Sequence, residues 1–280
     1  MLSPERVEGS KHEGRGLTVY AVAYLAFLYI PVLLLPLFSF NDSVFIAFPL
    51  RGFTTKWYAA MAADTEMHAA LWNTLKVGTA ASLLSTILGL LAAKALTQAA
   101  PLPGRGFVLG FSNLSLFIPE IVIGIALLIL ITTVGVPLSL TSVGIGHVLI
   151  CLPFAILVLM SRFEGFDTSL EEASRDLGEN AWMTFWRVTF PIVFPGIIAS
   201  LLLTFIVSFD DFMIAFFLCG TDTTLPVYIF GELRFPYKLP NVLALGAAIL
   251  IASAVLVALA EWVRRLGADG PARDRVVIGV

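Results

Sequence analysis

Charge is what this sequence has least of. Asp, Glu, Lys and Arg supply 13% of its 280 residues while apolar types supply 58%, and mean hydropathy is +0.92. A soluble domain holds about a quarter charged residues, so the balance excludes an ordinary water-soluble globule and points to a polytopic membrane protein. The net charge of −3 comes without a basic run, which excludes a nucleic-acid partner. Cysteine is nearly absent. Cys151 and Cys219 both sit in apolar runs without a second pair or a His cluster nearby, so they read as packing residues rather than a metal site or a disulfide. The sequence has no G-x-x-x-x-G-K-[ST], so ATP hydrolysis is not expected of this chain. Lacking H-E-x-x-H and G-x-S-x-G as well, it offers no readable hydrolytic site. No cleavable leader is expected, because the first apolar run, Leu17 to Phe40, exceeds the roughly 7–15 residues of a leader's core.

What is there instead is a series of apolar runs near the ~20 residues that cross a bilayer. After a polar, flexible tail over residues 1–16 come six expected spans. They are Leu17 to Phe40, Trp72 to Ala95, Phe107 to Val134, Ser142 to Met160, Ile192 to Cys219 and Val242 to Ala260. The third is too long for one upright span, so it is expected to start as an interfacial segment and enter near Leu116, with a kink at Pro119. Gln98 to Gly106 reads as a turn. The division expected is a tail (1–16), a first span with an outer loop (17–69), a core (70–262) holding a long polar loop (162–190), and a second tail (263–280). Lys and Arg set the orientation. Twelve fall on the side of the termini: Arg6, Lys11, Arg15, Lys94, Arg105, Arg162, Arg175, Arg187, Arg264, Arg265, Arg273 and Arg275. Five fall opposite: Arg51, Lys56, Lys76, Arg234 and Lys238. The excess predicts that both termini and the polar loop are cytoplasmic.

Within that loop, Leu170 to Pro191 reads LEEASRDLGENAWMTFWRVTFP. Thr168 and Ser169 each precede a Glu by three residues, so either could form a capping box. Leu170, Ala173 and Leu177 give one narrow apolar face, with Glu171 and Arg175 paired at i, i+4 on the outside. Gly178 is expected to end this helix in the left-handed conformation. A second short helix, Asn180 to Val188, carries Trp182, Phe185 and Trp186, and Pro191 suits the first turn of a new helix.

Glu172-Ala173-Ser174, then Gly178 after three residues, then Val188-Thr189-Phe190-Pro191 after nine, resembles the E-A-A loop of bacterial ABC importer permeases. Ser174, Val188 and Phe190 depart mildly from that pattern. The resemblance implies that this loop docks into an ATP-binding subunit. It assigns the coupling role to Glu171, Glu172, Ala173, Ser174, Asp176, Gly178, Phe185 and Pro191.

A charge inside a span costs ~2.5–3.5 kcal/mol on insertion scales, so each such charge needs a reason. Glu120 follows Pro119 in the third expected span; Asp210 and Asp211 are adjacent in the fifth. No Lys or Arg stands at matching depth, so the three acids are read as lining a path for a cationic solute. Neighbours on a helix point about 100° apart. Both aspartates therefore cannot face one path unless the helix breaks there; otherwise one binds solute and the other caps backbone or pairs with a partner subunit. The competing reading is that all three are structural. His147 reads as a packing or hydrogen-bonding residue. Gly106-x-x-x-Gly110 and Gly144-x-Gly146 are weak signals of close helix packing. Tyr228, Phe230, Tyr237 and Trp57 are candidate rings for an ammonium group.

Five further segments are similar to the second permease subunit of spermidine/putrescine-type importers: Gly52 to Tyr58, Leu71 to Lys76, Ile118 to Gly124, Ser208 to Phe212, and Leu225 to Ile229. This resemblance implies an all-α, six-helix type I ABC importer permease. It implies a heterodimer with a second permease, two cytoplasmic ATP-binding subunits that hold ATP and Mg, and a periplasmic or lipid-anchored solute-binding protein. Polyamine is the implied solute, and other members of the subfamily carry iron or thiamine; the candidate pathway residues Asp210, Asp211, Glu120 and Tyr228 are consistent with a polyamine. Two other classes fit the composition. One is a secondary transporter or channel. The other is a membrane enzyme using the aspartate pair, although such enzymes place their two acids on separate helices.

Overall fold

The computed structural model describes the backbone of residues 5–98 and 104–268, and the side chains of 16–97, 104–255 and 258. The expectations placed on the side chains of Arg6, Lys11, Arg15, Arg264 and Arg265, and on Arg273 and Arg275, lie outside these residues. In chain order the helices are α1 (Glu5–Ser39), α2 (Lys56–Ala63), α3 (Thr65–Gln98), α4 (Arg105–Leu114), α5 (Glu120–Thr133) and α6 (Leu140–Glu164). There follow α7 (Ser169–Asp176), α8 (Ala181–Thr184), α9 (Phe190–Asp210), α10 (Met213–Leu218), α11 (Leu225–Glu232) and α12 (Leu239–Ala268). The tail expectations are corrected in part. Helix α1 already begins at Glu5 and α12 runs on to Ala268, because residues flanking an apolar span extend its backbone ladder. Positions 269–280 lie outside the described residues.

Two compact units emerge, one from residues 1–64 with 232–280 and one from 65–231. In the first, α1 packs along α12 and α2 packs on α12. Ser39 donates to Pro36 O (2.8 Å), and Trp57 Nε1 donates to Asn41 O (2.9 Å). Most of the apolar surface of α1 is exposed, as suits a helix that faces lipid.

The second unit is built on α3, α6 and α9, which pack pairwise. Gly89 permits the closest approach of α3 to α6: a Cβ there would stand 2.7 Å from the Ala155 Cβ. Thr86 and Ser200 share a hydrogen bond of 3.1 Å between α3 and α9. Small residues and hydroxyls are what helices use to associate where water supplies no driving force. One apolar cluster gathers Val77, Val143, Ile150, Ile214 and Leu218; another gathers Ala93, Ile156, Leu159, Phe163 and Val193. Cys151 and Cys219 are buried, free and separate. Gly146 packs against Ile214 and Leu218, but Gly106, Gly110 and Gly144 meet nothing within 4 Å. Among the described residues the packing signal at Gly106 and Gly110 is therefore not used.

Among the described residues five helical stretches are long and apolar enough to cross a membrane: Gly16–Ser39, Thr65–Thr97, Leu140–Glu164, Ala181–Asp210 and Pro236–Val255. The third expected span is corrected. Pro119, with no N–H, opens α5 instead of kinking a longer helix, and residues 115–119 are non-helical. The result is amphipathic α4 followed by a 14-residue apolar helix, about 21 Å long at 1.5 Å per residue. The fifth expected span is likewise broken, between α9 and α10. These two interrupted spans pack on each other through α5 and α10. A Cβ at Gly124 would lie 2.7 Å from the Phe217 ring. Irregular backbone at such depth is tolerated only where it is buried in protein or lines a cavity.

Candidate functional site

Two places carry polar chemistry, and each is centred on a buried carboxylate. The first is the loop between α6 and α9. Helix α7 starts from Thr168, whose side chain makes no cap. Instead the Asp167 carboxylate accepts from Ser169 N–H at 3.0 Å, and the Ser169 hydroxyl first, then this N–H, hold the exposed Asp167 carboxyl below its ordinary range. The expected capping box is therefore replaced by an Asx turn. Gly178 has φ +93°, which only glycine adopts without cost. Around it Gly178 N–H donates to Arg175 O (2.9 Å) and Glu179 N–H to Ser174 O (3.2 Å), the paired bonds of a Schellman cap.

The orientation of α7 reverses the expectation. Glu171 was expected outside, yet it is 6% exposed. Lys94 Nζ donates to its Oε1 at 3.1 Å, Thr189 Oγ1 donates to the same oxygen, and Arg175 lies 3.5 Å from Oε2. Burial pushes the Glu171 carboxyl up, but the bonds from Thr189 and Lys94 and the charges of Lys94 and Arg175 outweigh it, leaving the group below its ordinary value. Ser174 is also turned inward, sharing a 3.1 Å hydrogen bond with Thr184. The apolar stripe therefore faces out: Leu170 is exposed and Leu177 is 87% exposed. Glu172, Ala173 and Asp176 share this exposed surface. Trp182, 67% exposed, stacks edge-on to Trp186 at 5.7 Å.

Asn180 caps α8 by accepting from Met183 N–H (2.9 Å). Lys94 Nζ stands 4.9 Å over the half-buried Phe185 ring. Pro191 stands in the first turn of α9, as expected, but α9 continues the segment before it without a gap. The backbone is helical from Ala181 to Asp210, with one π turn at Phe185–Thr189 in which Phe190 N–H reaches Phe185 O. The wide turn places Thr189 on the Glu171 side. Arg162 ties α6 to this segment, donating through Nε (3.2 Å) and Nη2 (2.8 Å) to Ile192 O. Its stem lies across Gly196, where a Cβ would sit 3.0 Å from Arg162 Cγ.

The second place is the pair of helix breaks. Glu120 is the first residue of α5, Asp210 the last of α9, and Asp211 caps α9 with extended backbone (φ −66°, ψ 125°). The sequence reading put Glu120 well inside a span; it stands at a helix start instead. The break is the condition under which both aspartates can approach one space. Glu120, Asp210 and Asp211 line a cavity of about 560 Å³ with Ile118, Ile150, Phe154, Val207, Phe212 and Met213. Among the described residues no Lys or Arg lines it.

The two aspartates differ. Asp210 is exposed to the cavity, whereas Asp211 is 7% exposed and its Oδ2 accepts from Ala215 N–H at 3.1 Å. Behind it stands His147, 1% exposed. Nδ1 of His147 meets Ser208 Oγ at 2.6 Å, and Nε2 is 3.0 Å from Asp211 Oδ2. That second approach lies off the line of a hydrogen bond, and both Nε2 and Asp211 Oδ1 are buried without a hydrogen-bond partner. Tyr228 is not brought here: it is buried in α11 and does not line the cavity. Phe230 packs on Phe212 at 4.9 Å, one ring back from the space. In the other unit, Trp57 already holds Lys56 over its ring at 4.6 Å. Asn73 and Thr74 serve structure, donating to Thr223 O and accepting from Leu225 N–H at the start of α11.

Sequence reasoning missed Lys94, Thr184 and Thr189 as partners of the loop, and Ser208 as the partner of His147. Those pairs are 10 to 77 residues apart, beyond any local period. The one available signal was a lone ionisable residue inside each apolar span.

An all-helical chain with several apolar spans, an acid-lined cavity at two helix breaks and an outward apolar knob is the permease unit of an importer. Residues 85–267 match the family model described as the binding-protein-dependent transport system inner membrane component. The chain belongs to that family. It is 31% identical over 256 residues to the spermidine/putrescine transport system permease protein PotC of Escherichia coli (strain K12), covering 91% of this chain and 96% of that one. It is 31% identical over 243 residues to the putrescine transport system permease protein PotI of the same organism, covering 84% and 85%. The PotC protein of Haemophilus influenzae is 31% identical over 241 residues, covering 86% and 93%. Among solved structures, a bacterial ABC transporter that imports the acidic polysaccharide alginate superposes with TM-score 0.72 at 17% identity. It covers 94% of this chain and 98% of that one. The fold is therefore that of an ABC importer permease, a multi-pass protein of the bacterial inner membrane.

Proposed function

We propose that this chain is the transmembrane permease subunit of an ATP-driven importer that takes up polyamines by alternating access. The acid-lined cavity carries the solute assignment. Three carboxylates face it or form its wall, no Lys or Arg lines it, and Ile118, Ile150 and Val207 offer apolar surface between them. An alkyl chain ending in an ammonium group matches both features. The names of the similar permeases point to the same solute class.

The loop carries the assignment of drive. Its inner face is fixed by Glu171 and its outer face exposes Leu170, Leu177 and Trp182 beside Glu172 and Asp176, a surface that suits a groove on an ATP-binding subunit. The partners are then a second permease, two cytoplasmic ATP-binding subunits that hold ATP and Mg, and a periplasmic or lipid-anchored solute-binding protein. Both termini lie in the cytoplasm with the loop, as the excess of Lys and Arg on that side requires.

The test is co-expression with the candidate partner subunits, purification through this chain, and uptake of labelled putrescine into proteoliposomes. The reading expects a stoichiometric ATP-binding subunit and uptake that stops when ATP is withheld. Uptake by the purified chain without ATP would overturn it.

A further inference from the structure

Lys76 lies within the apolar stretch Thr65–Thr97 of α3, and its side chain is exposed. A charge inside a span almost always faces the bundle interior or pairs with another group. Lys76 does neither. Among the described residues no carboxylate stands within ion-pair distance of it; its Nζ lies 5.9 Å from the Trp72 ring.

Beside Lys76 a groove of about 470 Å³ opens between α3 and α6. Val77, Ala81 and Leu84 line it from α3, and Leu140, Ile145 and Val148 from α6. The two helices run side by side in the same direction, since Ser85 Oγ donates to Val148 O at 3.4 Å and Gly89 meets Ala155. Lys76 is the first lining residue on α3 and Thr141 stands at the start of α6, so the polar groups gather at one end and the rest is apolar. Gly144 deepens the floor, because a Cβ there would meet nothing within 4 Å.

Depth fits the bilayer. Lys94, held by Glu171 at the polar loop, is separated from Lys76 by about 27 Å along α3 at 1.5 Å per residue. The hydrocarbon core is ~30 Å thick. Lys76 and the exposed Trp72 therefore reach the headgroup level of the leaflet opposite the loop, where Trp is the usual interfacial ring. From Lys76 to Leu84 the groove runs inward about 12 Å, most of the ~15 Å that one leaflet's chains span.

We propose that this groove seats one anionic phospholipid, with its phosphate on Lys76 and Thr141 and one acyl chain lying past Gly144 toward Val148. No acid lines the groove to receive a headgroup ammonium, so a net-negative headgroup fits better than a zwitterionic one. The occupant is lipid rather than a helix of a second permease. Gly144 and Val148 precede Ile150 and Phe154 of the acid-lined cavity by six positions each, which turns the groove about 120° away around α6. A subunit that completes the solute path belongs on the cavity side, and the groove is left to the bilayer. The assignment does not depend on which solute is carried.

The experiment is photolabelling of the assembled transporter in phosphatidylethanolamine vesicles that hold a small share of phosphatidylglycerol with a photoactivatable acyl chain. Labelled peptides are then mapped by mass spectrometry. Label is expected on residues 76–84 and 140–148. A lysine beside an anionic headgroup contributes about fivefold in affinity, so Lys76→Gln should lower that label about fivefold while Lys76→Arg keeps it. Gly144→Leu fills the groove and leaves the charge alone, and should abolish the label. Lys56→Gln, which alters an exposed lysine already paired with Asp42, should change nothing.

Label absent from both stretches would overturn the proposal, as would label unchanged in Lys76→Gln or in Gly144→Leu. Equal labelling by a photoactivatable phosphatidylethanolamine would show an unselective lipid shell and overturn it too. Label found on the isolated chain but lost in the assembled transporter would make the groove a subunit seat instead. Should Gly144→Leu fail to assemble, the contrast of Lys76→Gln with Lys76→Arg decides.

Discussion

Glu171 and Asp211 are both buried carboxylates, and the molecule treats them in opposite ways. Glu171 receives Lys94, Thr189 and Arg175. Asp211 receives one backbone N–H, faces a misaligned imidazole and keeps one oxygen unpaired. A fully satisfied buried network rigidifies what it touches, whereas a partly satisfied one is under tension to change. The first carboxylate binds α3, α7 and the start of α9 into one body. That body has to move as a unit if a push on the loop is to reach the spans. The second sits where two spans are broken and lacks what a cation would bring. On the proposed reading a lever needs a stiff arm and a yielding seat, and the hydrogen bonds suit these two acids to the two roles.

The largest effect on stability is expected at the stiff end. Glu171→Gln removes the charge that Lys94 and Arg175 face and weakens the bond from Thr189. Losing charged hydrogen bonds at a buried site costs about 2–3 kcal/mol. Thermal unfolding in detergent should show that loss, and protease should cut near residue 178 sooner. A variant as stable as the parent would dissolve the contrast. Acid offers the same test without mutation. Glu171 titrates below its ordinary value of 4.5, so its contribution is complete above that value and is lost as pH falls through the lower, folded-state value. Amide protection factors in residues 169–189, corrected for the intrinsic pH dependence of exchange, should therefore stay constant from neutral pH down to about 4.5 and fall only below it.

Gly178 gives the next effect. Its φ of +93° costs an L-residue about 1–2 kcal/mol. A Cβ there would meet nothing within 4 Å, so no clash accompanies the strain. Gly178→Val should then lower stability by that amount and fray the end of α7. Gly178→Asn should lose much less, because Asn tolerates the left-handed region. Equal losses in the two variants would show that a hidden contact, rather than backbone conformation, sets the elbow.

Much of the architecture was legible in the chain itself. Apolar runs of near-membrane length located the spans, and Gly178 ended α7 as its flexibility requires. What failed did so for identifiable reasons. The i, i+4 spacing placed Glu171 with Arg175 on the outside, because in water a charged pair is normally solvated. Here the inner face is polar, since Lys94, 77 residues away along the chain, and Thr189 satisfy Glu171. Hydropathy carried two spans across their breaks, because Ser208 to Leu218 and Phe111 to Ile123 remain mostly apolar where the helix stops. Pro119 marked the first break. The second was written only in the unlikely adjacency of Asp210 and Asp211. Tyr228 was offered to the pathway as a ring for an ammonium group, yet it is buried in α11 and does not line the cavity.

The smallest effect on stability is expected at Asp210, and it sharpens the contrast most. Asp210→Asn makes the same kind of change as Glu171→Gln, a carboxylate to its amide. Asp210 is exposed to the cavity, so the substitution should move stability by no more than ~0.5 kcal/mol. Transport should suffer instead. Removing one of the acids that line the space is expected to lower putrescine uptake about tenfold, which corresponds to ~1.4 kcal/mol in solute affinity. The two variants therefore should exchange phenotypes: Glu171→Gln melts early, and Asp210→Asn melts normally yet fails to transport. Melting curves and uptake measured on the same preparations would decide it. An Asp210→Asn protein that unfolds as early as Glu171→Gln would mean that the cavity acid holds the fold as well, and the stiff and yielding ends would not be separate.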